Sequence, residues 1–117
     1  MCIFCQIIKK EIPAQIVYED DKIVAFENIQ PKAPIHLLII PTKHIPSINH
    51  LEVGDKELMG ELFLVAKKIA KSRGLDESGY KLVFNVGKGA GQSVDHIHLH
   101  LLGGWKSEEE RDIPGMP

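Results

Sequence analysis

The chain has 117 residues, of which 44% are hydrophobic and 26% charged, and its formal net charge is −2 at pH 7. These values are typical of a soluble globular protein, so we expect one domain over residues 1–117 with a core that needs no disulfide bonds. The small negative charge offers no basic surface for nucleic acid, and no segment is apolar for long enough to cross a membrane. The first apolar run is too short for a signal peptide, so we expect a cytoplasmic protein.

The first half of the chain predicts a short helix followed by strands. Apolar residues at helical spacing indicate a helix over residues 3–10, which Pro13 prevents from continuing. Segment 28–34 contains two prolines, which cannot donate to a sheet, and is predicted as a loop. Residues 42–51 are expected to be irregular or to form a single turn. Runs of strand-forming residues are found at 16–19, 22–27 and 36–40.

The second half predicts one long helix, two further strands and a charged tail. Helical periodicity extends over Asp55–Arg73, with Asp55 as the N-cap and Gly74 just past the helix end. Five strands with helices outside them indicate an α+β domain with core 2–104, in which an antiparallel five-stranded sheet carries the long helix on one face. The opposite face is then free for chemistry. The two strands are residues 80–86 and 96–101. Composition predicts no regular structure for the tail, residues 105–117.

The segment GKGAGQSVDHIHLHLLGG, residues 87–104, contains the most informative pattern. His96, His98 and His100 alternate with apolar residues, which is the period of a half-buried strand, so the three imidazoles line one face at a spacing of about 6.6 Å. This row is compatible with a metal site, with a catalytic row or with three solvated histidines. Because the outer two lie about 13 Å apart, all three cannot bind one ion.

A glycine-rich loop immediately precedes the histidine row. Glycine recurs at positions 87, 89 and 91, and Ser93 adds a hydroxyl. Backbone N–H groups of such a loop can bind phosphate oxygens, although plain hairpin connections also show this pattern. The loop lacks the Gly-Lys-Ser/Thr step of a Walker loop, and a strand rather than a helix follows it. A neutral imidazole beside bound phosphate can attack phosphorus, and the middle histidine, His98, is best placed to do so.

These residues resemble the histidine triad motif, His-x-His-x-His followed by apolar residues, and the Leu-Gly-Gly ending resembles the family's Hint branch, the nucleoside phosphoramidases. The resemblance extends from Cys2 to Gly104 and includes EIPAQIVYEDDKIVAFENIQPKAPIHLLIIPTKHI. It implies the histidine triad (HIT) fold. It also implies a hydrolase that cleaves the P–N bond of purine nucleoside 5′-phosphoramidates through a covalent nucleotidyl-histidine, with no cofactor for catalysis.

The resemblance assigns the catalytic roles. His98 is implied to be the nucleophile that attacks the α-phosphate. His100 and Ser93 are implied to contact the phosphate and the leaving group. His36 matches the histidine that supports the nucleophile by hydrogen bonding.

The nucleotide-binding residues are also implied by the resemblance. Asn85 and the backbone of Gly91 and Gln92 are expected to help hold the phosphate. By the resemblance, residue 28 meets the ribose hydroxyls, and the family usually has an aspartate there. This chain has Asn28, whose amide oxygen can accept a hydrogen bond from a hydroxyl but carries no charge to strengthen it. The expected nucleoside pocket consists of Ile3, Phe4, Ile7, Phe26, Asn28, Ile29 and Leu38. Several of these residues are equally compatible with an ordinary hydrophobic core.

Cys2 and Cys5 form a C-x-x-C pair with three interpretations: a zinc site, a redox pair or two unpaired thiols. No thioredoxin-like βαβ pattern surrounds the pair. By resemblance, some family members complete a structural zinc site here with histidines that match His44 and His96. A closed site with two cysteine and two histidine ligands is structural, and this one would pin the first helix to the sheet.

The resemblance further implies a homodimer that buries part of the long helix and strand 80–86 between subunits. The implied ligand is a purine nucleotide of the AMP or GMP type, with neither nucleic acid nor membrane as a partner. Two alternatives stay open. One is a dinucleoside polyphosphate hydrolase or nucleotidyl transferase on the same scaffold, and the other is a nucleotide-binding regulatory protein whose hydrolysis is incidental.

Overall fold

A computed structural model describes residues 2–112 and contains one antiparallel sheet with strand order β1-β2-β3-β5-β4. The strands are Ile16–Glu19 (β1), Ile23–Glu27 (β2), Ile35–Pro41 (β3), Tyr80–Val83 (β4) and Leu99–Gly103 (β5). The helices are Ile3–Ile8 (α1), Lys56–Ser72 (α2), Leu75–Ser78 (α3) and Glu108–Arg111 (α4). Short 3₁₀ turns lie at Ile48–His50, Val53–Asp55 and Lys88–Ala90. The predicted α+β architecture is confirmed. Within residues 2–112 no helix is long and apolar enough to cross a membrane.

Helix α2 covers one face of the sheet and forms the larger core with it. Alternate residues of β3 and β5 point toward the helix, because successive side chains of a strand face opposite sides. The prediction that the apolar residues between the three histidines pack into the core is therefore confirmed. The buried side chains of this core include Leu37, Ile39, Leu62, Ala66, Ile69, Ile97, Leu99 and Leu101.

The opposite face of the sheet carries α1 and a smaller core. Phe4 and Ile7 of α1 pack against side chains of β2 and β3, including Phe26 and Leu38. Since α1 has only six residues, it covers one part of this face and leaves the rest open. His100 pairs with Leu38 in the sheet, so its side chain also lies on this face.

Strand β5 begins at Leu99 rather than at His96, which differs from the sequence-based expectation. The β3–β5 register ends with Ile39 opposite Leu99, and continuing it would bring Ile97 opposite Pro41, which has no N–H to donate. The N–H of Ile97 instead donates to the carbonyl oxygen of Ile45 at 2.7 Å. His96 and His98 therefore stand on a segment just before the strand.

Strand β1 has the predicted bounds, the remaining boundaries differ from the predictions by at most three residues, and two short helices, α3 and α4, were not predicted. Gly74 ends the α2 region as expected, with φ of +74°, and α3 follows it directly. Asp55 occupies the N-cap position, but its carboxylate accepts from the N–H of Glu52 and from Lys43 instead of capping α2. In the tail, Ser107 caps α4 where no regular structure was expected, and residues 113–117 lie outside the described part of the chain.

Candidate active site and metal-ligand cluster

A cleft of about 330 Å³ lies on the α1 side of the sheet. The structure places there every residue expected to form the nucleoside pocket, together with Ser93, His98 and His100. The rings of Phe4 and Phe26 meet edge to face, with centroids 5.4 Å apart, and form its apolar wall. Sequence reasoning missed six lining residues, several of them on the connection between α1 and β1, which no motif marks: Ile12, Pro13, Ala14, Glu27, Gln30 and Val94.

His98 is held in one tautomer by the main chain. Its Nδ1 atom lies 2.7 Å from the carbonyl oxygen of His96. Because a carbonyl oxygen can only accept, Nδ1 carries the proton and donates, and the lone pair of the neutral ring is on Nε2. Among residues 2–112 nothing hydrogen-bonds to Nε2, so this nitrogen is available to attack a ligand in the cleft.

A second chain of hydrogen bonds fixes the proton of His100. The backbone N–H of Lys32 donates to Nδ1 of His36 at 2.9 Å, so the neutral His36 ring carries its proton on Nε2. That nitrogen lies 2.9 Å from Nδ1 of His100 and donates to it. The proton of His100 is therefore on Nε2. His98 and His100, whose ring centroids are 5.0 Å apart, thus offer a lone pair and an N–H donor side by side.

The expectation that His36 supports the nucleophile directly differs from this geometry. The partner of its Nε2 is His100, because the β3–β5 register places Leu38 opposite His100 and His36 one diagonal position away. The group that hydrogen-bonds to His98 is the backbone carbonyl of His96.

Burial keeps these imidazoles neutral at physiological pH. Burial lowers the pKa of His98 and, together with the charge of Lys32, that of His36. Burial, followed by the proximity of His98 and His36, lowers the pKa of His100 to about 4. A neutral His98 has the lone pair that a nucleophile requires, and a neutral His100 still has one N–H to donate.

The glycine loop is fastened differently from the sequence-based expectation. The N–H of Gly91 donates to the carbonyl of Lys88 and that of Gln92 to the carbonyl of Gly87, so these two amides already have partners within the loop. The buried Gln92 side chain accepts from the Gly87 N–H and donates to the carbonyls of Pro46 and Val94. Asn85 donates to the carbonyl of Ala90. These contacts shape the loop. Of the loop residues expected to hold the phosphate, Ser93, at the end of the loop, is the one that lines the cleft.

Asn28 lines the cleft and also lies next to His36, the first histidine of the hydrogen-bond chain from Lys32 to His100. Its Oδ1 accepts from the N–H of Gln30 at 2.9 Å, and this contact orients the amide. Its Nδ2 then lies 3.5 Å from Nε2 of His36. The amide oxygen has a second lone pair with which it can accept from a hydroxyl group.

The predicted metal ligands are brought together in one cluster, the metal-ligand cluster, formed by Cys2, Cys5, His44 and His96. The six distances between their Sγ and Nδ1 atoms run from 3.1 to 3.6 Å. A tetrahedral zinc ion with normal Zn–S and Zn–N bonds requires ligand–ligand edges of roughly 3.3–3.8 Å. Four of the six distances lie in this range, and the two of 3.1 Å, Cys2–Cys5 and His44–His96, would lengthen slightly around an ion. The cluster is therefore compatible with a structural zinc ion, and its four ligands fill a tetrahedral coordination sphere.

The surroundings of the metal-ligand cluster also suit a metal ion. Nε2 of the fully buried His96 lies 2.8 Å from the carbonyl oxygen of Pro41 and donates to it, which leaves the lone pair on Nδ1, the atom that faces the cysteines. Cys2 is also the N-cap of α1, where its sulfur accepts from the N–H of Cys5. His50, the remaining histidine, is exposed, lies on Ser47 and belongs to neither site.

Comparison with known proteins gives concordant matches. A family model described as "HIT domain" matches residues 9–107. The purine nucleoside phosphoramidase of Escherichia coli is 48% identical over 102 residues, which cover 87% of this chain and 86% of that protein. The crystal structure of a HIT family hydrolase from Legionella pneumophila is 56% identical with a TM-score of 0.89, covering 91% of this chain and 95% of that one. A histidine triad nucleotide-binding protein from Candida albicans is 38% identical with a TM-score of 0.79, covering 92% and 85%.

Proposed function

Because the chain belongs to the histidine triad (HIT) family, we propose that it is a hydrolase that cleaves the P–N bond of purine nucleoside 5′-phosphoramidates through a covalent nucleotidyl-His98 intermediate. The observation that carries the proposal is the hydrogen bond from Nδ1 of His98 to the His96 carbonyl, which leaves Nε2 as a free lone pair beside the cleft. The E. coli relative with the name purine nucleoside phosphoramidase supports the substrate class.

In the first step Nε2 of His98 donates its lone pair to the α-phosphorus, and a new N–P bond forms while the P–N bond to the leaving amine breaks. The leaving nitrogen takes a proton from solvent and departs as the neutral amine, while the Nε2 N–H of the neutral His100 donates a hydrogen bond to it. The His98 ring becomes cationic, and the His96 carbonyl stabilises that charge because hydrogen bonds to charged donors are stronger. The hydroxyl of Ser93 is proposed to donate a hydrogen bond to a phosphate oxygen.

In the second step water attacks phosphorus, the His98–phosphorus bond breaks and returns its electron pair to Nε2 of His98, and the proton of the water passes to solvent. The product is the nucleoside 5′-monophosphate. His36 acts through His100 by holding its proton on Nε2. No step requires a group other than the residues of this chain and water.

The nucleoside is proposed to lie between the aromatic wall of Phe4 and Phe26 and the aliphatic side chains of the cleft, with the ribose toward Asn28. Four of the proposed contacts are buried or half-buried apolar side chains, which suits a flat purine base.

The rate on two substrates tests the proposal. We expect rapid turnover of an aminoalkyl adenosine phosphoramidate and slow turnover of a diadenosine polyphosphate. The reverse preference would identify a dinucleoside polyphosphate hydrolase instead, and negligible turnover of both would favour a nucleotide-binding regulatory protein.

The metal-ligand cluster is proposed to hold a structural zinc ion that pins α1 to the sheet and takes no part in the chemistry. Its closed set of four N and S ligands supports this assignment. Elemental analysis of protein purified without chelators should give one zinc per chain, and absence of metal would refute the assignment.

A cytoplasmic homodimer is the proposed form. Phe63 is exposed on α2 and its ring packs on Phe84, just after the edge strand β4, so these elements present an apolar surface next to unpaired backbone groups. Sedimentation at micromolar concentration should give the mass of a dimer, and a monomer mass would contradict this proposal.

A further inference from the structure

We infer that the metal-ligand cluster and the nucleotide cleft are energetically coupled, so that a metal ion and a purine nucleotide each raise the protein's affinity for the other. The inference rests on the proposed function, because it requires nucleotide in the cleft. It goes beyond a structural role for the ion and assigns His96 as a positioning residue for the nucleophile.

The first connection runs through His96 itself. Its ring Nδ1 is one of the four atoms of the metal-ligand cluster, whereas its main-chain carbonyl holds Nδ1 of His98 at 2.7 Å. The ring is completely buried and tied to the Pro41 carbonyl, and its backbone N–H donates to Val94. Since these contacts leave the residue little freedom, a change at the ring also moves the carbonyl and, with it, the His98 ring.

The second connection runs through α1. Cys2 and Cys5 bracket the first turn of this helix, and the two residues between them, Ile3 and Phe4, both line the cleft. The Phe4 ring meets His98 edge to face with centroids 5.1 Å apart and meets His96 at 6.0 Å. A helix of six residues is not stable by itself, so its position depends on what holds its ends.

Both connections favour the same arrangement. An ion held by the two cysteines and the two histidines fixes the N-terminal end of α1 and the His96 carbonyl together. A nucleotide that packs on Phe4 and reaches His98 selects that same arrangement. Coupling between two sites is reciprocal, and values of about 5- to 150-fold in affinity are typical. With two short connections, we expect an effect of about tenfold.

Cobalt(II) reports this coupling, because its visible absorption in a tetrahedral site follows metal occupancy directly. Protein stripped of metal is titrated with Co²⁺ in the absence and presence of saturating AMP. Calorimetric titration then gives the AMP affinity of the stripped and the Co²⁺-loaded protein. The inference predicts that AMP lowers the Kd for Co²⁺ about tenfold and that Co²⁺ lowers the Kd for AMP by the same factor.

Equal Kd values for Co²⁺ with and without AMP would overturn the coupling alone. Failure of AMP to bind the Co²⁺-loaded protein would overturn the proposed nucleotide function and the coupling with it. If the stripped chain unfolds, the rate at which loaded protein releases Co²⁺ to a chelator gives a second measurement. We expect AMP to slow that release about tenfold, and an unchanged rate would refute the inference.

Phe4→Leu separates the two connections, because it keeps all four ligand atoms but removes the ring that contacts His98. For this variant, the ratio of the Co²⁺ Kd without AMP to the Co²⁺ Kd at an AMP concentration that saturates the variant should be several-fold smaller than the roughly tenfold ratio expected of the unsubstituted chain. Phe84→Leu, in an aromatic residue that packs on Phe63 on the α2 side, is the matched control and should keep the full effect. An unreduced effect in Phe4→Leu would show that α1 carries no coupling.

Discussion

Replacement of His36 tests the hydrogen-bond chain that fixes the His100 proton. His36→Phe keeps a buried aromatic ring but removes the acceptor for the Lys32 N–H and the donor to His100 at 2.9 Å. Loss of one buried hydrogen bond, with a partner left unsatisfied, costs about 1–3 kcal/mol. If that loss falls on the transition state, kcat decreases by about 5- to 150-fold.

The effect should appear in kcat rather than in KM, because His36 does not line the cleft. His36→Gln places an amide N–H where Nε2 donates and should recover most of the rate. His50→Gln, at the exposed histidine outside both sites, is the control and should leave the rate unchanged. The assay is steady-state hydrolysis of an adenosine phosphoramidate by variants whose thermal unfolding confirms that they fold. Wild-type kcat in His36→Phe would refute the role of this chain of hydrogen bonds.

Three further predictions concern stability and specificity. Gln92→Ala removes the side chain that holds the glycine loop at three points, so the free energy of unfolding in denaturant titrations should fall by about 1–3 kcal/mol, and an unchanged value would show that these contacts do not stabilise the fold. The pKa of His100 is lowered to about 4 in the folded chain, so the unfolded chain binds a proton more readily. Thermal unfolding should therefore show full stability from this group above pH 6.5 and a loss as the pH falls toward 4; a flat profile over that window would argue against a buried neutral His100. Asn28→Asp supplies a charged acceptor for ribose hydroxyls and should lower KM for a ribonucleotide substrate several-fold relative to its deoxy analogue, corresponding to about 1 kcal/mol, whereas an unchanged ratio would place the ribose elsewhere.

The parity of the histidine row could be read from the sequence because it depends only on strand geometry. Apolar residues 97, 99 and 101 enter the core with α2, while His100 faces the other side. The metal-ligand cluster was also predictable, although only by resemblance, since Cys2 and His96 are separated by 94 positions and no local pattern joins them.

The partner of His36 could not be predicted because it depends on strand register. A contact across 64 residues is set by which residues of β3 and β5 pair, and a shift of the register would bring another side chain to the ring. The start of β5 depends in the same way on a tertiary contact, the hydrogen bond from Ile97 to Ile45.

The glycine loop illustrates a different limit. Its sequence predicts a phosphate-binding backbone, but two of the N–H groups concerned already donate within the loop. Which amides of a loop remain free depends on the exact turn geometry and on a side chain such as Gln92, whose three partners lie on different segments. Amino-acid composition determines neither the turn geometry nor the partners of such a side chain.

Trapping of the covalent intermediate tests the central claim most directly. Protein mixed with an adenosine phosphoramidate is quenched at alkaline pH, where a nucleotidyl-histidine survives, and its peptides are analysed by mass spectrometry. We expect one adenylyl group on His98 of the wild-type chain and neither adduct nor turnover in His98→Asn. Turnover at the wild-type rate in His98→Asn, or an adduct on another residue, would contradict that claim.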